Sequence, residues 1–170
     1  MEELERLKGE LARLQVHLHE ANGRLKRMAI VDPLTELLNR RGLEHVLGRE
    51  MKWVRQGEHL LVLRLNLDDF GLVNRSLGYS VGDVLLREVA RRLREAARGT
   101  DYVARIGGDE FLVLIPRTRL GEGMRLAEKV RLAVCGQPFV LAQGRNVQVT
   151  ASFGLVEVLP DASSSEDLLS

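Results

Sequence analysis

The chain has 170 residues, 45% of them hydrophobic, which is enough for one globular domain with a full core and a short appendage. Its 25 Lys and Arg against 24 Asp and Glu leave a net charge of +1, which excludes a DNA or RNA partner held by bulk electrostatics. A single cysteine, Cys135, excludes a disulfide within the chain, and neither a long apolar run nor an apolar N-terminus signals a membrane span or export, so the sequence reads as cytoplasmic.

Residues 1–30 carry Leu4, Leu7, Leu11, Leu14, Leu18, Ala21, Leu25 and Met28 in alternating steps of three and four. That spacing is an a/d seam of about four heptads, and such a narrow stripe is buried by a second copy. The segment is therefore read as a coiled-coil helix that makes a homodimer, against the alternative of a lone helix packed on its own domain. Gly9 and Gly23 each weaken the helix by about 1 kcal/mol relative to Ala. Pro33 disfavours helical geometry at Asp32 and ends the segment, leaving residues 31–170 as the globular domain.

Helical spacing resumes in "RGLEHVLGREMKWVRQ", and "HLLVLRLNLDDF" then reads as an apolar strand that ends in acids. A short helical piece from Phe70 leads to the amphipathic helix "SVGDVLLREVARRLREAAR", with Val84, Leu85, Val89 and Leu93 expected on its inner side. "YVARI" and "FLVLIP" form a hairpin with Gly107 to Glu110 at its tip. The helix "GMRLAEKVRLAVC" precedes two strands, "PFVLAQ" and "NVQVTASFGLVEV", joined through Gly144. The order β-α-β-β-α-β predicts an α+β fold with a mixed or antiparallel central sheet and helices on one face. The final "EDLL" opens a further helix that the chain leaves truncated.

Asn66, Asp68 and Asp69 end the first strand, and Asp109 and Glu110 stand at the hairpin tip. If the two strands are neighbours these groups converge at one sheet edge. Oxygen-only clusters of this kind suit Mg²⁺ or Mn²⁺ together with a substrate's phosphates. Glycines at the tip let a ligand approach the main chain. The alternative is a plain hairpin turn with solvated acids.

The surrounding residues bear on that choice. "RIGGDEF" resembles the signature of the GGDEF domains, the diguanylate cyclase family. "DPLTELLNRRG" is similar to the family's D-x-L-T-G-L-x-N-R-R segment, with Glu36 at the usual glycine. "NLDDFGLVNRSLGYSVGD" is similar to D-I-D-x-F-K-x-I-N-D-x-x-G-H-x-x-G-D at Asp68, Phe70, Asn74, Gly78, Gly82 and Asp83, and "RGTD" to R-x-x-D. The resemblance implies a palm-like βαββαβ fold that condenses two GTP into cyclic di-GMP with release of pyrophosphate, each domain of a dimer holding one GTP. It implies Asp109, Glu110 and Asp68 as catalytic acids, and Asp109, Asn66 and Leu67 as the metal ligands. GTP would be bound by Asn74, Asp83, Gly107, Gly108 and Phe70. Arg98 and Asp101, with Arg125 and Lys129, would bind cyclic di-GMP as an inhibitor.

Several departures bear on activity, Arg75 in place of an aspartate and Tyr79 in place of a histidine among them. Asn66 stands where the family has its first metal-binding aspartate, which predicts weaker metal binding, because an amide oxygen carries no charge. Gly71 replaces a lysine that would help neutralise the triphosphate. The family's C-terminal lysine and arginine have no counterpart. Two further readings stay open beside the cyclase: a degenerate domain that binds cyclic di-GMP without making it, and a dimeric interaction module that uses no nucleotide.

Overall fold

A computed structural model of the chain describes residues 9–10, 13–17, 30–140, 144 and 146–161. Helix α1 spans Arg40–Val54 and begins at Asn39, whose side-chain oxygen accepts from the Gly42 amide at 2.9 Å, satisfying one of the first-turn donors. Strand β1 (Leu60–Leu67) leads into helices α2 (Phe70–Leu77) and α3 (Tyr79–Ala96), which meet at Gly78. The hairpin β2 (Tyr102–Gly107) and β3 (Glu110–Pro116) follows, then helix α4 (Leu120–Cys135) and strands β4 (Phe139–Val140), β5 (Asn146–Val147) and β6 (Ala151–Glu157).

The main sheet runs β2-β3-β1-β6 with every neighbouring pair of strands antiparallel, and a parallel bridge between Leu38 and Ala104 lies at its β2 edge. Strand alternation divides the core in two. Leu61, Leu63, Leu65 and Leu67, with Phe111, Val113 and Ile115, pack under α3 and α4 against Leu85, Val89, Leu93, Leu126 and Val130. Leu60, Val62, Ala104, Leu112 and Leu114 pack under α1 against Leu43, Leu47, Met51 and Val54. Burying each such leucine contributes roughly 1.5–3 kcal/mol.

Helices thus cover both faces, a correction to the one-face expectation. The physical sign was in β1 itself, whose nearly unbroken apolar run is what burial on both sides demands. Two smaller corrections follow. Val84 is 40% exposed, because the buried stripe of α3 runs through Leu85, Leu86, Val89, Ala90 and Leu93. The long strand expected over "NVQVTASFGLVEV" is two strands: among the described residues β5 pairs with β4 in a separate ribbon, and β6 joins the main sheet.

Most of the heptad seam lies outside the described residues. Of it, residues 9–10 and 13–17 are helical, with Leu14 exposed. The break falls where Pro33 puts it, between helical Ile30 and α1. The connecting segment adds itself to the β2 edge: the Leu38 amide donates to the Val103 carbonyl at 3.2 Å, and the Arg105 amide to the Leu38 carbonyl at 2.8 Å.

Candidate nucleotide site at the signature hairpin

The two-sided burial of β1 breaks at Arg64 and Asn66, which are exposed although they share the face of Leu60 and Val62. Cover by α1 ends there, and the sheet face opens. In the β1–β3 register Asn66 lies opposite Glu110, and the Leu67 amide donates to the Asp109 carbonyl at 3.2 Å. The strand end and the hairpin tip therefore meet, as the sequence predicts. Gly108 has φ +44, a conformation that favours glycine, while a side chain at Gly107 or Gly108 would meet only open space. Neither glycine is packed against another described part of the chain.

Two acids of this region, Asp68 and Glu110, are engaged by neighbouring side chains. Asp68 accepts from the Thr150 hydroxyl at 2.8 Å on one oxygen and from the Ser152 hydroxyl at 2.8 Å on the other. Glu110 Oε1 pairs with Arg64 Nε. Asp69 takes a left-handed conformation, φ +54, at the start of α2. Among the described residues no three Asp, Glu, His or Cys side chains converge. The residues present do not fit the divalent ion that the resemblance implies: Asp109 is the one carboxylate of the implied ligand set, Asn66 is neutral, and Leu67 offers only its main chain.

A second group stands at the α2–α3 elbow. Asn74 Oδ1 rests on Gly82, where any Cβ would collide with it, and this oxygen is buried without a hydrogen-bond partner among the described residues. Asp83 follows Gly82 and is exposed. Phe70 is buried in the core behind this contact, 8% exposed, so it supports the elbow from within instead of facing solvent. An amide fixed by packing beside an exposed carboxylate is an arrangement that can answer the mixed donor and acceptor edge of a guanine.

The R-x-x-D residues form a third group on the far side of the hairpin. Asp101 Oδ2 accepts from the Arg98 amide at 2.7 Å, while Oδ1 is buried and has no hydrogen-bond partner among the described residues. Burial pushes the Asp101 carboxyl above its ordinary range, against the opposite pull of Arg98 and Lys129. Arg98, Asp101, Leu38 and Arg94 line a groove of about 300 Å³. Lys129 Nζ donates to the Ala96 carbonyl at 2.8 Å, at the C-terminal end of α3 and near Asp101, and Arg125 is exposed one turn earlier on α4.

Two functional contacts were missed by sequence reasoning. Arg64 looked like a strand residue, although its two-residue offset from Asn66 already put both on one face. Arg105, before the glycines, ties Asp32 to the hairpin tip: its Nη1 lies 3.2 Å from each Asp32 carboxylate oxygen, and Nε and Nη2 donate to the Gly108 carbonyl at 2.9 and 2.7 Å.

An antiparallel β2-β3-β1-β6 sheet, helices on both faces and a Gly-Gly-Asp-Glu hairpin beside the end of β1 define a palm-like domain. The family profile described as diguanylate cyclase, GGDEF domain matches residues 29–170, and the chain belongs to that family. It is 37% identical over 144 residues to the response regulator PleD of Caulobacter vibrioides, covering 84% of this chain and 32% of PleD. It is 39% identical over 140 residues to the diguanylate cyclase DgcP of Pseudomonas aeruginosa, covering 82% of this chain and 20% of DgcP. The chain thus spans a third or less of these curated relatives. The crystal structure of the coiled coil and GGDEF domain of DgcB from Caulobacter crescentus in complex with c-di-GMP superposes with TM-score 0.85 at 26% identity, over 96% of this chain and 86% of that one.

Proposed function

We propose that this chain is a diguanylate cyclase domain of low turnover, which condenses two GTP into cyclic di-GMP when two copies face each other. One observation carries the reading: the end of β1 and the glycine tip of the hairpin meet at one open end of the sheet, through the Asn66–Glu110 pairing and the Leu67–Asp109 backbone bond, and β1 leads directly into α2. In this reading Asn74 and Asp83 select guanine, and Gly107 and Gly108 admit the phosphates. The 3′-hydroxyl of one nucleotide attacks the α-phosphate of the nucleotide in the opposite domain, and pyrophosphate leaves. The heptad seam of residues 1–30 supplies the second domain by raising its effective concentration. Low turnover follows from the neutral Asn66 and from the engagement of Asp68 and Glu110. The domain works in the cytoplasm, where its substrate is available.

The test is incubation of the protein with GTP and Mg²⁺ or Mn²⁺ and chromatography of the products. Slow formation of cyclic di-GMP, abolished in Asp109→Asn and Asn74→Ala, supports the proposal; guanine nucleotides left unchanged at high protein concentration contradict it.

A second reading, a cyclic di-GMP receptor, is favoured by the buried unpartnered Asp101 Oδ1 in the groove beside Arg98. An acceptor already stripped of water loses nothing on meeting the N–H groups of a guanine. Arg98 supplies a planar fork for the ligand, and Arg125 and Lys129 add positive charge from α4. Calorimetric titration with cyclic di-GMP tests this reading, which fails if wild type and Arg98→Ala give the same isotherm.

A further inference from the structure

The open end of the sheet face carries a positive charge that packing does not require. Arg64 interrupts the apolar run of β1 and lies on the face of Asn66. Its neighbour across on β6 is Gly154, which has no side chain, and its neighbour on β3 is Leu112. The side chain is 44% exposed, and its Nε pairs with Glu110, the second acid of the signature hairpin, whose side chain is 19% exposed.

We infer that Arg64 fills the electrostatic place of a divalent cation at this hairpin and sets how weakly the site binds such a cation. The inference rests on reading the hairpin as a nucleotide site. A dication approaching Asp109 from the open face meets a guanidinium two residues along the strand from Asn66, and like charges repel. To gain Glu110 Oε1 as a ligand the ion must displace Arg64 Nε, and at Oε2 it still faces the same guanidinium charge. Asn66 offers a neutral oxygen, so nothing at that position offsets the repulsion. Arg64 is thus a positioning residue that acts through Glu110.

The experiment titrates Mn²⁺ into wild type, Arg64→Met and Arg64→Lys and follows the free-ion electron paramagnetic resonance signal, with circular dichroism confirming that each variant is folded. Arg64→Met should bind Mn²⁺ on the order of tenfold more tightly than wild type. Arg64→Lys, which keeps the charge, should stay near wild type, and adding Asp109→Asn to Arg64→Met should remove the gain. Equal Mn²⁺ affinity in wild type and Arg64→Met overturns the inference, as does an equal gain in Arg64→Lys. A parallel titration with GTP separates the two layers. A Mn²⁺ gain with no GTP bound by any variant sinks the nucleotide reading alone, whereas GTP binding without the Mn²⁺ gain sinks the role given to Arg64.

Discussion

Arg105 joins the entry segment to the signature turn: its guanidinium lies 3.2 Å from both carboxylate oxygens of Asp32 and donates twice to the Gly108 carbonyl, at 2.9 and 2.7 Å. The pair is largely out of water, with side chains 13% and 17% exposed, so its geometry is held rather than averaged. The segment around Pro33 is thus tied to the hairpin tip by the Arg105 side chain, in addition to the backbone bonds that Leu38 makes to β2. Arg105→Leu should cost about 1–3 kcal/mol in urea denaturation, because it leaves Asp32 and the Gly108 carbonyl without that partner. It should also speed amide hydrogen exchange at Gly108–Glu110 well beyond the change in global stability. Exchange at the tip that follows global stability alone would mean that the bridge does not hold the turn.

The same contact gives an acid dependence. Burial alone would raise the Asp32 carboxyl, but the Thr35 hydroxyl at 2.6 Å, the Thr35 amide at 2.9 Å and the Arg105 charge outweigh it and hold the group below its ordinary value of 3.8. A lowered carboxylate stabilises the fold at all pH values above its unfolded value, and this contribution is lost as pH falls through the folded one. Asp32→Asn should therefore be less stable than wild type at neutral pH and show a flatter decline of stability below about pH 4. Denaturant midpoints collected between neutral and strongly acid pH check both parts.

Glu36 has φ +59 in the turn closed by the bond from the Glu36 amide to the Asp32 carbonyl at 2.9 Å. A left-handed conformation costs a side-chain-bearing residue roughly 1–2 kcal/mol, whereas glycine adopts it freely at some cost in unfolded-state entropy. Glu36→Gly should stabilise the domain by about 1 kcal/mol, a rise of roughly 2–4 °C in Tm by calorimetry. An unchanged or lower Tm would show that the turn is not strained.

Gly82 is required by contact. A methyl group there would overlap Asn74 Oδ1 and crowd Phe70. Gly82→Ala should displace the Asn74 amide, reduce GTP binding at least tenfold, a loss of about 1.4 kcal/mol, and leave the circular dichroism spectrum nearly intact. Wild-type GTP affinity in this variant would remove Asn74 from the guanine pocket.

The order of strands and helices was legible because each element carries its own period in the chain: the alternation at the hairpin, the 3.6-residue stripe of the helix after Gly82, the stop at Pro33. The meeting of Asn66 with Glu110 was also legible, since both stand at strand ends beside apolar runs. What sequence could not supply was set by pairing between distant segments. Helix placement on both faces depends on where α1 folds back, and the engagement of Asp68 by Thr150 and Ser152 depends on the β1–β6 register. Likewise the signature acids read as a ready cluster until the cross-strand position of Arg64 paired Glu110. Motif residues report where a site is, and the pairing register decides what charge it carries.

The central claim, a cyclase site whose turnover is held down by its missing charge, is tested most directly by comparing the rate of cyclic di-GMP formation from GTP in wild type and Asn66→Asp. Restoring a carboxylate opposite Glu110 should raise the rate tenfold or more, a barrier change of about 1.4 kcal/mol or greater. Equal rates in the two proteins, or product from neither, would contradict it.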